Sequence, residues 1–438
     1  MLPCRPTSTK VRNAPKETGD VIAFSLAELN HSATDMVCVR GIGLYFMQPM
    51  RTDRTRSDHL SPVLVRLLAI GAGAAVANSY YNQAFLGYLA AEFGLAAGVA
   101  AIVPVLTQAG NALGVLFLAP LGDRLERKSL ILVTIGALVA ALIGAAVSPD
   151  FLWLAVAGLA VGLFATVAQQ IVPLAVHLAA PAERGRVLGK VTGGILIGIL
   201  LARTVSGTIS DLWGWPFVFW CAAVMMIVIG AALALWLPRV PPTTDLSYPR
   251  LLGSLWTLVR THGVLRRAGM VQFLIFAAFI GFWSNLALLL AEPPFELGGT
   301  AVGLMALVGI AGALAAPVAG GFADRRGPAI VVSIGAAFVV LAFLIFGLWQ
   351  SSLIGLIIGI LVMDLAVQSS QVANQARVYA LDPTARSRLN TVFMATMLAG
   401  GAVGAGIGGA AYAAWGWTGT CAFGATSAAL ALLLSRKS

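Results

Sequence analysis

The sequence predicts an all-α membrane protein, with twelve transmembrane helices arranged as two pseudo-symmetric six-helix bundles. Hydrophobic residues make up 59% of the 438 residues and charged residues only 11%, and the mean hydropathy is +0.88. A water-soluble protein of this composition would expose too much apolar surface. Two short basic loops, GDRLERK at Asp123-Arg124 and ADRRG at Asp324-Arg325, lie almost half the chain apart between long apolar stretches. Together these observations predict a doubled membrane unit.

Twelve apolar stretches, separated by charged or Gly/Pro-rich breaks, have about the 20 residues that a helix needs to cross a bilayer. The predicted helices 1 to 6 span 61–86, 98–121, 129–148, 151–178, 187–210 and 216–237. The predicted helices 7 to 12 span 269–291, 301–322, 328–349, 352–379, 389–413 and 417–434. The two bundles are therefore expected at 61–237 and 269–434.

Three segments lie outside the bundles. Residues 1–60 contain no apolar run long enough to span a bilayer, and we expect a disordered extension there. Met50 precedes a basic run and helix 1, so the extension could be an over-extended gene start or a regulatory tail. Residues 238–268 are expected to tether the bundles at the cytoplasmic surface, and residues 435–438 to form a cytoplasmic tail.

Basic residues occur on alternate loops only. Arg124, Arg184, Arg250, Arg325, Arg386 and Arg436 mark these loops and the tail, whereas the intervening loops carry Glu92, Asp150, Asp211, Glu292 and Glu296 and no Lys or Arg. We call the two sides of the protein the basic face and the acidic face. Because short loops rich in Lys and Arg stay in the cytoplasm, both termini are predicted to be cytoplasmic. The protein is expected in the inner membrane of a prokaryote. This topology also explains the formal charge of +10 without nucleic-acid binding.

A second set of matches keeps one offset of 202 residues over a long stretch. Gln169 matches Gln371, Pro181 matches Pro383, Arg184 matches Arg386, Arg186 matches Arg388, and the triplet Trp213-Gly214-Trp215 matches Trp415-Gly416-Trp417. Parallel repeats of this kind are typical of secondary transporters, which bind substrate near the midplane between the halves. The sequence therefore predicts a transporter.

The two basic loops carry a family resemblance. The first reads APLGDRLERK over 119–128 and the second GGFADRRG over 320–327. Both resemble the G-x-L-x-D-R-x-G-R-K loop of major facilitator superfamily transporters, which include bacterial sugar and drug efflux members; Ala119 and Glu126 replace the two glycines of the motif in the first copy. The resemblance covers the chain from residue 61 onward. It implies that the two halves rock about a cavity lined by helices 1, 4, 7 and 10.

The resemblance also implies a gating role for the basic loops. Asp123 and Asp324 could accept hydrogen bonds from helix N-termini and pair with arginines across the halves, which would hold the cytoplasmic side closed. The gating candidates are Asp123, Arg124, Arg127, Lys128, Asp324 and Arg325. The alternative is that the basic residues only set the topology.

Two ionisable residues stand out inside the predicted spans, where such residues are costly and usually functional. Asp364 lies near the middle of helix 10, and because burial disfavours the charged form of a carboxyl group, it is the candidate proton carrier. Arg203 lies in the outer half of helix 5, in the segment GILLARTVSG, at a position where antiporters of the family often have proline. Arg203 could bind an anionic substrate or form a structural ion pair with Asp364, and the sequence leaves both open.

Polar and aromatic side chains of the cavity helices are the candidates for substrate binding. In helix 10, Asp364, Gln368, Gln371 and Gln375 recur at helical spacing and share one face. The other candidates are Asn78, Tyr80, Tyr81, Asn82, Gln83, Gln169, Arg203, Trp283 and Asn285. For the individual Asn and Gln residues, hydrogen bonding between helices, at about 0.6–2 kcal/mol per contact, is an open alternative.

The leading hypothesis is a proton-coupled exporter of small organic molecules that works as a monomer in the bilayer. An organic-anion importer or uniporter that uses Arg203 is the alternative, and a transporter-like membrane sensor is a third. No enzyme activity, cofactor or metal is expected: the sequence has no GxSxG, HExxH or P-loop motif, and its four cysteines and four histidines form no ligand pattern. The expected partners are lipid, a small organic substrate and protons.

Overall fold

The computed structural model describes residues 61–242, 244, 246–309, 327–382 and 385–436, together with three short strands in the N-terminal extension. The strands are β1 (Ile22–Ser25), β2 (Met36–Arg40) and β3 (Gly43–Phe46), paired antiparallel in the order β1-β2-β3. At these strands the structure differs from the predicted disordered segment. The apolar β-branched and aromatic residues of MVCVR and GLYF favour extended, paired backbone. The extension is a separate unit, Met1–Asp58.

The first half of the membrane region is entirely helical. Its elements are α1 (Pro62–Ala77), a 3-10 turn (Tyr81–Gln83), α2 (Leu86–Glu92), α3 (Ala97–Ala100), α4 (Ile102–Leu118), α5 (Leu121–Arg124), α6 (Arg127–Ala146), α7 (Phe151–Phe164), α8 (Val167–Leu178), α9 (Arg184–Trp213) and α10 (Trp215–Trp236). Predicted helix 1 is thus broken after Ala77. Asn78 explains where α1 ends, because its Nδ2 donates to the carbonyls of Ala74 and Ala75, at 2.8 and 3.1 Å.

The second half follows the same plan. The helix α11 (Tyr248–Thr261) lies in the central connection, and the elements of the second half are α12 (Gly263–Ala291), α13 (Gly299–Gly309), α14 (Pro328–Leu348), α15 (Leu353–Tyr379) and α16 (Arg386–Ser435). A kink divides α16 at Trp415 and Gly416. Gly416 has φ 58°, a conformation that favours glycine. The kink separates predicted helices 11 and 12.

The described chain contains nine helices that are long and apolar enough to cross a membrane. One of them, α16, holds two predicted spans, and α1 and α13 are shorter apolar helices. Every predicted span therefore has a counterpart among the described helices, helix 8 only as far as Gly309. The predicted all-helical membrane fold is confirmed, and its twelve spans agree with this structure.

The central connection contains an amphipathic helix, α11. Its Leu255 and Leu258 are buried in an apolar cluster with Leu265 of α12, Val378 of α15 and Leu389 of α16. Apolar residues at this helical spacing form one buried stripe. The connection predicted as a tether therefore packs against the second half at the basic face.

Candidate functional site

Arg203 lies at the centre of a buried cluster to which both halves contribute. Only 1% of its surface is exposed, and its Nε donates to Oε1 of Gln83 at 2.8 Å. Its guanidinium carbon lies 4.3 Å from the ring centroid of Trp283 and 5.1 Å from that of Tyr80. Phe279 is the fourth neighbour, at 5.9 Å. We call Tyr80, Gln83, Arg203, Phe279 and Trp283 the arginine cluster; its aromatic faces stabilise a desolvated cation.

The cluster depends on two helices and on the break between α1 and α2. The break between α1 and α2 supplies Tyr80 and Gln83, because the 3-10 turn directs both side chains inward. The helix α9 supplies Arg203, and α12 supplies Phe279 and Trp283, which share a face one turn apart. Because α12 belongs to the second half, the cluster spans the interface between the halves.

Asp364 of α15 lies close to the cluster without bonding to it. Its side chain is buried, with 5% of the surface exposed, and it interacts electrostatically with Arg203. Among the described residues, these two charged groups form no direct ion pair, and Oδ2 of Asp364 and Nη2 of Arg203 lack hydrogen-bond partners. Arg203 and Asp364 therefore interact through space. The sequence left open a direct ion pair between them, and this pair is not formed.

Two further polar atoms of the arginine cluster have no hydrogen-bond partner, Nε2 of Gln83 and Nε1 of Trp283. A buried polar atom without a partner costs about 1–3 kcal/mol. Together with Nη2 of Arg203 and Oδ2 of Asp364, these atoms make three donors and one acceptor that lack hydrogen-bond partners in the interior of the protein.

A second group of contacts closes the acidic face. The Asp211 carboxylate, at the end of α9, accepts hydrogen bonds from the backbone N–H groups of Gly299 and Thr300 at 2.9 and 2.7 Å. The hydroxyl groups of Thr300 and Tyr88 donate to it at 2.6 and 2.7 Å. Asp211 thereby caps the N-terminus of α13, where a negative charge is stabilised by the helix dipole.

Beneath Asp211, the backbones of α9 and α13 touch. A Cβ atom on Gly207 would overlap the carbonyl of Gly299, and a Cβ atom on Gly303 would overlap the backbone of Thr204. The Thr204 hydroxyl donates to the Gly303 carbonyl at 2.7 Å. We call this group the acidic-face seal; it consists of Tyr88, Thr204, Gly207, Asp211, Gly299, Thr300 and Gly303.

Replacing Asp211 by alanine is expected to weaken the acidic-face seal by about 1–2 kcal/mol, a factor of about 5–30 in the equilibrium between closed and open forms. Ala84 reports on this opening, because it is buried and its carbonyl faces Gly299. With Ala84→Cys in a chain whose four native cysteines are replaced by alanine, a membrane-impermeant maleimide should label faster from the acidic face. The control is Asp150→Ala, which removes a cap from α7 on the same face. Equal labelling in the two variants would contradict the role of Asp211.

The basic face, in contrast, has a cavity of about 570 Å³ between the halves. Gln169 of α8 contributes to its wall from the first half, and Tyr379 and Asn390 from the second. Gln375 donates to Asn390 Oδ1 at 2.8 Å and to the Tyr379 hydroxyl at 3.1 Å, and so holds that wall in place. Within the described residues, the acidic face is therefore closed by contacts between the halves, whereas the basic face has a cavity between them.

The first basic loop lies at the edge of this cavity. Asp123 pairs with Arg127 at 3.5 Å, and Arg388 of the other half lies within electrostatic range of Asp123. Arg127 also donates through Nε to the Gly122 carbonyl at 3.1 Å. Arg124 is exposed and Lys128 half-buried. The second loop, with Asp324 and Arg325, lies outside the described residues, so pairing across the halves by the latch remains a prediction.

Glu126, which replaces a motif glycine, caps α6. Its carboxylate accepts from the backbone N–H groups of Lys128 and Ser129, at 3.0 and 2.9 Å, and from Val240 at 3.2 Å. Slight burial acts to raise its pKa, but the hydrogen bonds from Ser129, Lys128 and Val240 outweigh this and hold the pKa below its usual value. The substituted loop is therefore fixed to the start of the central connection.

Three predicted cavity residues make hydrogen bonds within the bundle. Asn78 bonds its own helix, Asn82 donates to Thr107 of α4 at 2.9 Å, and Asn285 donates to Thr420 of α16 at 3.0 Å. Asn82 and Asn285 thus form hydrogen bonds between helices, the alternative to substrate binding that the sequence left open.

The remaining candidates are distributed over different surfaces. Tyr81 lines a separate groove between α1 and α9, and Gln368 and Gln371 are half-buried on α15. Sequence reasoning missed Phe279 and Asp211. The acidic character of the loop after helix 5 was the only available signal for Asp211.

Comparison with known proteins gives a consistent result. A family model described as Major Facilitator Superfamily matches residues 68–380. The Uncharacterized transporter YgaY of Escherichia coli O157:H7 is 43% identical over 384 residues, covering 87% of this chain and 97% of the relative. A Streptomyces coelicolor protein named "Probable transporter SCO4007" is 34% identical over 359 residues, covering 81% of this chain and 83% of the relative.

Solved structures share the fold at low sequence identity. The nucleoside transporter NupG superposes with a TM-score of 0.69 at 16% identity, covering 85% of this chain and 98% of its own. The human organic anion transporter MFSD10 superposes with a TM-score of 0.62 at 16% identity, covering 86% of this chain and 100% of its own. At this identity the likeness concerns the fold alone.

Proposed function

The chain belongs to the major facilitator superfamily, and from this membership we propose that it is a proton-coupled exporter of small organic molecules that works by alternating access. The single observation that carries the proposal is Asp364, a buried carboxyl group that interacts with Arg203 through space but does not bond to it. Ionisable residues in membrane spans are costly and are usually retained for function. A carboxyl group without a fixed partner is free to exchange its proton as access alternates.

The net charge of Arg203 and Asp364 determines the direction in which protons move relative to the substrate. With Asp364 ionised, Arg203 and Asp364 together carry no net charge; with Asp364 protonated, Arg203 is an uncompensated buried cation. Leaving one buried charge uncompensated is strongly unfavourable. A neutral or cationic substrate that contacts Asp364 therefore competes with the proton, and this competition produces exchange of substrate for protons.

The seal at the acidic face and the cavity at the basic face fit this cycle. The acidic-face seal is formed while the basic face has its cavity, so the present conformation would load substrate from the basic side. We propose that this side is the cytoplasm, in keeping with its arginine-rich loops. Breaking the seal and closing the first basic loop would then release substrate on the opposite side.

The test is transport in proteoliposomes with an imposed pH gradient, with cationic drugs, sugars and organic anions as candidate substrates. An exporter of this kind should move at least one compound against its concentration gradient, and a protonophore should stop this movement. Transport of an identified substrate at the same rate with and without the gradient would rule out proton coupling.

An organic-anion transporter is the second candidate, and the unpartnered Nη2 of Arg203 favours it. Here the anion would neutralise Arg203 while Asp364 takes up a proton, so substrate and proton would move in the same direction. The opposite signs of coupling distinguish the two candidates in the same proteoliposomes.

Arg203→Lys is expected to weaken transport of an anionic substrate by roughly tenfold or more, because lysine keeps the charge but loses the planar fork that contacts both Gln83 and a ligand. The effect should be mainly on KM. The matched control is Arg260→Lys, since Arg260 also lies over an aromatic ring, that of Trp256 at 5.0 Å, but in α11 on the basic face. Similar KM values for the two variants would exclude Arg203 as the anion-binding group.

A further inference from the structure

A groove of about 640 Å³ runs between α1 and α9 on the outer surface of the first half. Its walls are apolar, and Ile70 and Ile197 are 61% and 59% exposed. The two helices touch at their backbones, since a Cβ atom on Gly73 would overlap the carbonyl of Gly194. The floor of the groove therefore lacks large side chains. In a membrane-spanning protein, an apolar groove on the outer surface faces the hydrocarbon core of the bilayer.

Two cations lie at one end of the groove. Arg66 is near the start of α1 and Lys190 is near the start of α9, and both helices begin at the basic face. Both side chains are exposed, and within the described chain neither has an ion pair or a side-chain hydrogen bond. The groove is therefore apolar along its length and positively charged at the level of the membrane surface.

We propose that this groove binds an acidic phospholipid from the leaflet at the basic face. One acyl chain lies along Ile70, Ile197 and Leu201, and the phosphate lies between Arg66 and Lys190. Basic residues at the membrane surface attract anionic lipids, and basic pockets between transmembrane helices bind their head groups. The apolar groove also fits an acyl chain, whereas scattered surface lysines provide only the electrostatic attraction.

Bound lipid has a direct route to the transport machinery, because α9 forms one wall of the groove and also carries Arg203 and Asp211. A lipid held along α9 stabilises the conformation in which this groove is present. The present conformation is the one with the acidic-face seal closed. The proposal does not depend on the substrate or on proton coupling.

The first test is native mass spectrometry of the full chain in detergent, titrated with phosphatidylglycerol or phosphatidylcholine. The unmodified protein should bind one phosphatidylglycerol in preference to phosphatidylcholine, and Arg66→Gln/Lys190→Gln should lower the apparent affinity for phosphatidylglycerol about tenfold. The control is Arg239→Gln/Arg250→Gln, which removes two exposed charges elsewhere on the basic face. Equal affinities in the two double variants would overturn the proposal.

The second test fills the groove without touching the cations. Gly193 lines the groove and Gly189 does not, and a Cβ atom at either position would meet no atom within 4 Å. Gly193→Leu should reduce phosphatidylglycerol binding at least fivefold, while Gly189→Leu should bind like the unmodified protein, with both variants monodisperse in size-exclusion chromatography. Equal phosphatidylglycerol binding by the two variants would place the lipid elsewhere and overturn the proposal.

Discussion

Asp364→Asn is expected to abolish the stimulation of transport by a pH gradient, while exchange of substrate at equal pH on both sides continues. The amide has nearly the shape of the carboxyl group but cannot carry a proton. Shape matters here, because Oδ2 of Asp364 lies 2.6 Å from the position that a Cβ atom would occupy on Gly309. The measurement is the initial rate of substrate movement in proteoliposomes, with and without the gradient.

This substitution also leaves Arg203 as an uncompensated buried cation, which can cost several kcal/mol of stability. A charge-balanced variant, Asp364→Asn/Arg203→Gln, removes both charges and should express better than the single variant, yet remain insensitive to the gradient. Asp150→Asn is the matched control, because that carboxylate caps α7 at the acidic face and should leave the coupling unchanged. If Asp364→Asn retains its full pH response, the proton is carried elsewhere.

Gly207→Ala is expected to prevent the acidic face from closing and so to reduce transport by a large factor. The added Cβ overlaps the carbonyl of Gly299, and both groups belong to backbone that cannot move away by a change of rotamer. Overpacking of this kind costs about 1–3 kcal/mol. Such a cost shifts a conformational equilibrium by about 5- to 150-fold. Closure is required once per cycle, so the rate of transport should fall accordingly.

The matched control is Gly189→Ala in the same helix, where the added Cβ meets no atom within 4 Å. Alanine favours a helix over glycine by about 1 kcal/mol, so the control should be neutral or stabilising. The reporter is Ala84→Cys labelled by an impermeant maleimide from the acidic face, which should react faster in Gly207→Ala. If both variants transport and label alike, contact between α9 and α13 is not part of the cycle.

The membrane spans could be predicted from the sequence because lipid imposes both their length and their composition. The break at Asn78 was not predicted, since hydropathy averages over a span and does not register an asparagine that bonds the carbonyls of its own helix. The amphipathic helix α11 was also missed, because the central connection was interpreted by its charges rather than by its leucine spacing.

The candidate site could be predicted only in part. Arg203 and Asp364 were identified because charges inside spans are rare, but their separation depends on how α9 and α15 pack, which hydropathy does not encode. The contact between Arg203 and Gln83 joins residues 120 positions apart. Asp211 and Thr300 are 89 positions apart, and neither position shows a pattern that selects the other.

The unbroken course of α9 has a mechanical consequence. Its 30 residues extend over about 45 Å, and Lys190 and Asp211 lie about 32 Å apart along it. Helix 1 beside it is interrupted at Asn78, whereas α9 runs without a break from one face to the other. A continuous helix can transmit displacement between its ends, so a lipid beside Lys190 and the seal at Asp211 would act on the same element, with Arg203 between them.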